Sequence, residues 1–533
     1  MVFSLLKRTF FFNNIHTTLN GLFHKVLTSI IFILALGSFS INIAQPQEKS
    51  ASALKWVGTW STAPQLVETN NNPPSPGLTN NTLRQIVHVS IGGDSLRIRF
   101  TNEFSKSSVK LNSVHIALSK GAGVIDTISD KIIYFNGKLE TTIDPGKAVM
   151  SDPFQFTLQP LTDVAITIYF GNTSSDVTGH PGSRTTSYLL TGNNVTKSDF
   201  SNAVKTDHWY VINTIEVLAP ETANAVAILG NSITDGRGSG TNKQNRWPDE
   251  LSRRLQSNLD TKRVAVLNEG IGGNCVLGAC LGPSALNRFE RDVLNQSGIK
   301  WLIIFEGIND IGGSFGSQGA AKVAQDLISA YTQMIDKAHS KNIIVYGATL
   351  LPFGGSSYDS PDHQTAWQTV NNWIRTSGKF DAVIDLDAAM HDPANPARLL
   401  TNADSGDHLH PSEAGHRMIA EAIDLSLFGA KLSTGMNENS NSLPVGFSLS
   451  QNYPKPFNPE TTIEYSIPKT GVFKLKVYDV FGKEVATLVN ETKNAGKHIA
   501  KFLSDNYRLA SGIYFYGISS GQFTLVKKMI LIK

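Results

Sequence analysis

From about residue 55 to 218, apolar and polar positions alternate in short runs. They are VHVSIGG (Val87 to Gly93), SLRIRF (Ser95 to Phe100), SVHIAL (Ser113 to Leu118), AITIYFG (Ala165 to Gly171) and WYVINTIEV (Trp209 to Val217). Successive side chains of a strand face opposite ways, so a strand with one buried face reads with this period of two. Turn residues separate the runs at short intervals. The pattern predicts a β-sandwich or jelly-roll module over 55–218.

The rhythm changes near Thr222. Continuous apolar runs now alternate with helical patterns: AVAILG (Ala225 to Gly230), a helix over Trp247–Leu259, VAVLNEG (Val264 to Gly270), and a helix from about Ser284. WLIIFEG (Trp301 to Gly307), a helix over Ala320–Ser340, NIIVYGATLL (Asn342 to Leu351), a helix over Thr365–Ser377 and DAVIDLD (Asp381 to Asp387) follow. A last helix runs from Glu413 to Leu427. Strands alternating with helices build a parallel sheet, and strands apolar on both sides are what burial under helices on both faces requires. Residues 222–430 therefore read as an α/β domain. Residues 431–446 are polar (STGMNENSNS) and have a linker's composition. Residues 447–533 return to β, with TTIEYSI, FKLKVYDV, GIYFYGI and FTLVKKMILI. A length of 533 residues suits several domains.

The N-terminus changes this picture. Basic residues come first, ending at His24 and Lys25; the apolar run VLTSIIFILAL (Val26 to Leu36) and small or polar residues up to Ala44 follow. That is the order of a secretory signal peptide, here residues 1–45, with an uncleaved membrane anchor as the alternative. No other segment is apolar enough for a membrane helix. The formal charge of +3 falls to near zero once Lys7, Arg8 and Lys25 leave with the leader. No basic patch points to nucleic acid. An exported chain meets an oxidising compartment, so Cys275 and Cys280 are expected to form a disulfide, the alternative being two buried thiols. Two thiols without a nearby His pair are a weak zinc signal.

In an open parallel sheet, ligands bind at the carboxyl edge of the strands. The loops there carry GNSITDG (Gly230 to Gly236), NEGIGGN (Asn268 to Asn274), EGIND (Glu306 to Asp310) and SGDHLHPSEAGH (Ser405 to His416). They offer a hydroxyl, a Gly-rich turn, an amide and an Asp-x-x-His. Ester hydrolysis needs such a set: a nucleophile (Ser232), a base (His410), a carboxylate to orient the base (Asp407), and donors for the oxyanion. The backbone N–H groups of Ser232 and Gly273 and the side-chain amide of Asn309 are the candidate donors. His408 and His416 compete with His410. His408 follows Asp407 directly and should point elsewhere; His416 lies on the last helix, as a packing or substrate-side residue.

These four blocks resemble those of the SGNH, or GDSL-like, hydrolases, in family order over about Thr222 to Leu427. The resemblance implies a three-layer α/β/α, flavodoxin-like fold, esterase, lipase or carbohydrate acetylesterase activity through Ser232, His410 and Asp407, and no metal or cofactor. The family usually has Asp where this chain has Asn231. No Gly-x-Ser-x-Gly elbow surrounds Ser232, which argues against the α/β-hydrolase fold. The expected substrates are small-molecule or polysaccharide esters, with short acyl or acetyl groups favoured by the lack of a long apolar lid segment. The alternatives are a longer-chain lipase and a catalytically silent carbohydrate-binding protein.

The flanking modules carry resemblances too. KWVGTWSTAPQ (Lys55 to Gln65) and TNEFSK (Thr101 to Lys106) are similar to the β-domain preceding the catalytic domain in some secreted SGNH hydrolases. Trp56, Trp60 and Trp209 fill its core or stack on sugar rings. The module is a candidate wall for one side of the cleft, and His180 and Arg184, in a Gly/Pro-rich loop, are candidate contributors to it. LSQNYPKPFNPETTIEYSIP (Leu449 to Pro468), VYDVFGKEV (Val477 to Val485) and SGIYFYGI (Ser511 to Ile518) resemble a type IX secretion sorting domain. This implies the type IX machinery as partner, an Ig-like β-sandwich, and a final location outside the cell or on its surface. The alternative is an ordinary Ig-like stalk or binding domain.

Overall fold

The computed structural model describes residues 53–174, 176–429, 448–449, 452, 457–520 and 523–533. The expected leader (1–45) and linker (431–446) lie outside the described residues. The chain divides into two compact units, Met1–Leu432 and Ser433–Lys533.

The first unit opens with antiparallel β structure. One sheet contains Leu54–Ser61, Ile212–Pro220, Gly93–Asn102, Phe154–Leu158 and Lys147–Met150. A larger sheet is built around Asn81–His88, Asp163–Phe170 and Val109–Gly121. Their inward residues, among them Leu96, Ile98 and Phe100 facing Val114, Ile116 and Ile166, form one apolar cluster. Two sequence expectations need correction. The run Val87 to Gly93 is not a strand of its own; the strand is Asn81–His88, almost wholly buried, so it lacks the alternation that would have marked it. The run Trp209 to Val217 is broken at Val211, whose φ is 68°, into Trp209–Tyr210 and Ile212–Pro220.

Trp60 and Trp209 are core residues, packed edge to face at 5.1 Å, and the Trp209 indole N–H donates to Ile86 O at 3.0 Å. Trp56 is half-buried beneath the Arg97 guanidinium.

The α/β part has five parallel strands: β1 (Asn224–Gly230), β2 (Val264–Gly270), β3 (Ile299–Phe305), β4 (Ile344–Ala348) and β5 (Ala382–Ile384), in the order β2-β1-β3-β4-β5. Its helices are α1 (Ser232–Asp235), α2 (Trp247–Gln256), α3 (Ala285–Phe289), α4 (Ile308–Gly312), α5 (Gly316–Ser340), α6 (Pro361–Thr376), α7 (Leu386–Met390) and α8 (Glu413–Ala422). The period of two explains the layering. Ala227, Leu229, Leu302 and Ile304 pack with residues of α3, α5 and α6. Their neighbours Val226, Ile228, Trp301 and Ile303 pack with α2 and α8 on the other face. Helix α2 ends at Gln256 rather than Leu259, and α8 ends at Ala422, with a separate 3₁₀ turn over Leu425–Phe428.

The β-rich part is not a detached appendage. Ala225, Ala265 and Leu267 of the parallel sheet belong to its apolar cluster. Gly58 lets the backbone approach, since a Cβ there would lie 2.8 Å from Leu267 Cδ1.

The second unit holds a three-stranded and a four-stranded antiparallel sheet, including Glu460–Ile467, Gly471–Tyr478, Gly512–Ser520 and Phe523–Leu531. Ile463, Leu475, Val477, Tyr516 and Met529 share its core. Among the described residues no helix is long and apolar enough to cross a membrane.

Candidate active site

The nucleophile candidate sits where β1 turns into α1. Asn231 caps that helix: its side-chain carbonyl accepts the Ile233 N–H at 3.1 Å. An Asn at this place does the capping work of an Asp, because both present an oxygen to the first turn. Ser232 occupies the first helical position, where an N–H has no intrahelical partner. It is 8% exposed.

The structure brings Ser232 and His410 together across 178 residues of chain, with Oγ and Nε2 2.8 Å apart. His410 Nδ1 lies 2.7 Å from Asp407 Oδ2. A carboxylate accepts there, so Nδ1 carries the hydrogen and Nε2 turns its lone pair to the Ser232 hydroxyl. Asp407 is held in turn by the backbone N–H groups of His410 at 2.8 Å and Leu409 at 3.1 Å. Partial burial would raise the Asp407 carboxyl, but these N–H groups and the imidazole outweigh it and hold it well below the usual carboxylate range. Burial lowers the His410 imidazole; Asp407 pulls it back up, and the charges of Arg237 and Arg184 lower it further.

The competing histidines are elsewhere. His408, at φ 61°, pairs with Asp404 at 2.5 Å. His416 is buried, accepting the Trp247 N–H at 3.2 Å and donating to Arg237 O at 3.0 Å. Burial pushes it down to about 4.

The loops after β2 and β3 are tied together. Asn309 donates through Nδ2 to Asn274 O at 2.7 Å, and the Asp310 carboxylate accepts the N–H groups of Val276 and Leu277 at 2.9 and 3.0 Å. Nδ2 has two hydrogens, so one remains for a ligand. Gly273 adopts φ 69°, a conformation that glycine takes without strain. Two residues on, the disulfide Cys275–Cys280 closes a short ring. Gly272 abuts α1: a Cβ on it would lie 3.1 Å from Asp235 Oδ2.

Several residues at the site carried no assigned role in the sequence. Tyr358 OH donates to Asn309 Oδ1 at 3.1 Å, which fixes the amide's orientation. Arg288 is buried and binds the ends of the strands: Glu269 O at 2.6 Å, Gly230 O at 3.1 Å and Asn274 Oδ1 at 3.0 Å. Beside it, burial pushes the Glu306 carboxyl up to about 7. His180 and Arg184, the two candidates from the β-rich part, meet Asp235 of α1 at 2.8 and 3.7 Å, a partner the sequence did not name. No local spacing announces these contacts. The glycines and the proline of the loop around His180 were the only signal of an unusual path.

The arrangement can take a proton from a hydroxyl and stabilise the imidazolium that results. Residues 228–418 match the family model of the GDSL-like Lipase/Acylhydrolase family, and residues 451–533 match that of the secretion system C-terminal sorting domain. A comparison with curated proteins finds no match. Among solved structures, the chain is similar to an acetylxylan esterase from Geobacillus stearothermophilus, at 20% identity and a TM-score of 0.29, over 38% of this chain and 94% of that one. It is also similar to a GDSL-like lipase from Bacteroides thetaiotaomicron, at 20% identity and a TM-score of 0.28, over 37% of this chain and 85% of that one. The chain carries a GDSL-like lipase/acylhydrolase domain, of the general class of carboxylic ester hydrolases, and a type IX secretion sorting domain that marks it for export to the cell surface or beyond.

Proposed function

We propose that this chain is a secreted serine esterase in which Ser232, His410 and Asp407 act as the catalytic triad. The observation that carries the reading is the continuous line Ser232 Oγ, His410 Nε2, His410 Nδ1, Asp407 Oδ2, with links of 2.8 and 2.7 Å. His410 takes the Ser232 proton as Oγ attacks the ester carbonyl. The N–H groups of Ser232 and Gly273 and the Asn309 amide receive the negative oxygen. Collapse of the tetrahedral intermediate expels the alcohol, which takes the proton from His410 and leaves an acyl-enzyme. Water, activated by the same imidazole, releases the acid. Each oxyanion donor is worth about 3–4 kcal/mol in the transition state.

The substrates are short acyl or acetyl esters on carbohydrates. Arg237, whose N–H donates to Ser232 O at 2.8 Å, and His410 put polar groups beside the nucleophile, which favours a hydrated alcohol over a lipid tail. The domain reading goes with this function: a leader over 1–45, a β accessory module over 55–218, a flavodoxin-like catalytic domain over 222–430, a linker over 431–446, and an Ig-like sorting domain over 447–533.

The test is hydrolysis of p-nitrophenyl acetate and of a chain-length ester series by the wild type and Ser232→Ala. Loss of about 10³-fold or more in kcat is expected in the variant. Undiminished turnover by Ser232→Ala ends the triad reading, and rates rising steadily to long acyl chains end the short-acyl one.

A further inference from the structure

The mouth of this site carries cations that ester chemistry does not use. Arg237 follows Ser232 by five residues, and its N–H donates to Ser232 O at 2.8 Å. The next residue, Gly238, lies against the His410 segment: a Cβ on it would fall 2.0 Å from Pro411 O. The backbone at Arg237 is thereby tied to the segments that carry Ser232 and His410, and its side chain is exposed and without an ion-pair partner among the described residues.

Arg184 arrives from the β-rich part. Its Nη2 lies 3.7 Å from Asp235 Oδ2, and its carbonyl accepts the Asn242 N–H at 2.9 Å. Its φ is 52°, and its Nε is buried without a hydrogen-bond partner. A side-chain-bearing residue held at positive φ with an unmatched donor is a feature that functional sites tolerate.

The carboxylates nearby are already engaged. Asp407 is held by His410, Asp404 by His408, Glu413 by Lys243, Asp249 by Arg246 and Asp235 by His180. Arg237 therefore has charge to spare, while Arg184 shares Asp235, at 3.7 Å, with His180, and the fields of both guanidinium groups act on His410.

We propose that Arg184 and Arg237 form a carboxylate-binding subsite beside Ser232, so that the preferred substrates are esters on acidic, uronate-bearing sugars rather than on neutral ones. The inference rests on the esterase reading and gives it a substrate class. Guanidinium suits the task because its planar fork matches a carboxylate. It also gives the β-rich part a share in the site, since Arg184 is supplied by that part alone.

The experiment compares kcat/KM for O-acetylated oligogalacturonides with that for the same oligosaccharides after reduction of their carboxyl groups. The acidic form should be favoured about tenfold or more, the worth of a charge-assisted hydrogen bond. The advantage should shrink towards unity at about 0.5 M salt. Arg184→Gln and Arg237→Gln should each reduce the ratio, a quantity that general loss of structure does not move. Equal rates on the two wild-type substrates at low salt overturn the subsite, as does an undiminished ratio in both variants. Binding of the same oligosaccharides to Ser232→Ala, measured by calorimetry, separates the two claims. Selective binding of the acidic form without turnover by wild type sinks the esterase reading and keeps the subsite; equal turnover of both forms does the reverse.

Discussion

His180 Nε2 stands 2.8 Å from Asp235 Oδ1, joining the β-rich part of the chain to the one-turn helix that begins with Ser232. Both side chains are buried, and His180 Nδ1 is fixed by Ala63 O at 2.9 Å. Gly182 lies over the carboxylate with no space for a Cβ, which would fall 1.9 Å from Oδ2. Removing one partner of such a pair strands the other in a dry site, at about 3–5 kcal/mol. Asp235→Ala and His180→Ala should each lower the stability of the first unit by about that amount. The two parts should still unfold together, because they share an apolar cluster. Urea unfolding followed by tryptophan fluorescence reads both. Two separate wild-type transitions within this unit, or losses below about 1 kcal/mol in both variants, contradict the coupling.

The acid side of the pH profile follows from His410. Burial, with help from Arg237 and Arg184, puts its pKa below the ordinary 6.5 despite the opposing pull of Asp407. The base must be neutral to accept the Ser232 proton, so kcat/KM falls as pH falls through that pKa. Half-maximal activity on the acid limb should therefore lie below pH 6.5. Arg237→Gln removes one lowering charge and should move the limb upward. A limb centred above 6.5 in the wild type, or shifted downward by the variant, counts against this account.

How much of this was legible follows from the range of the interactions. The parallel strands were readable because burial on both faces leaves unbroken apolar runs, as in Ala225 to Gly230. Three of the four loops were readable because each follows such a run at the carboxyl edge; the fourth, Ser405 to His416, comes only after α7 and the hairpin of His391–Asp392 and Asn395–Leu399, and was marked by its Asp-x-x-His spacing. Asp235 was visible inside GNSITDG yet without a role, since its partner His180 is 55 residues away. Arg288 and Tyr358 were hidden for the same reason: their partners come from other loops. The break at Val211 was also hidden, because a β-branched residue in an apolar run argues for a continuous strand.

Asn231 tests how much the departure from the family's usual Asp matters. Its side-chain oxygen already accepts the Ile233 N–H at 3.1 Å. Asn231→Asp keeps that bond, so kcat/KM at neutral pH should stay within about threefold of wild type, while Asn231→Ala should cost about 1 kcal/mol of stability through the lost cap. The added negative charge near His410 should also raise the acid limb. A gain of a hundredfold in Asn231→Asp would show instead that the natural Asn impairs catalysis.

The disulfide Cys275–Cys280 closes a short ring directly after Gly273 and Asn274. Other contacts also hold it, since Leu281 N–H donates to Gly273 O at 3.2 Å and the Asn274 amide to Pro283 O at 2.9 Å. Replacing both cysteines by Ser should cost about 2 kcal/mol, the loop-closure term for so short a ring. The effect on kcat should be about tenfold, because donor placement tolerates little drift. Thermal unfolding and p-nitrophenyl acetate kinetics measure the two effects. No change in either would remove any role for the bridge.

His416 should make the first unit acid-sensitive independently of catalysis. It is buried between Trp247 N–H and Arg237 O, and burial depresses its pKa to about 4. Between 6.5 and that value the unfolded chain binds a proton that the folded chain refuses, so stability is full above pH 6.5 and falls as pH falls. His416→Gln removes this proton uptake. The variant should be the less stable at pH 7, having lost the fitted imidazole, but the gap to wild type should narrow by about 2 kcal/mol at pH 5. Urea unfolding of both proteins at the two pH values measures the difference, in which carboxylates common to both cancel. A gap that stays constant or widens on acidification would mean that His416 is protonated in the folded state.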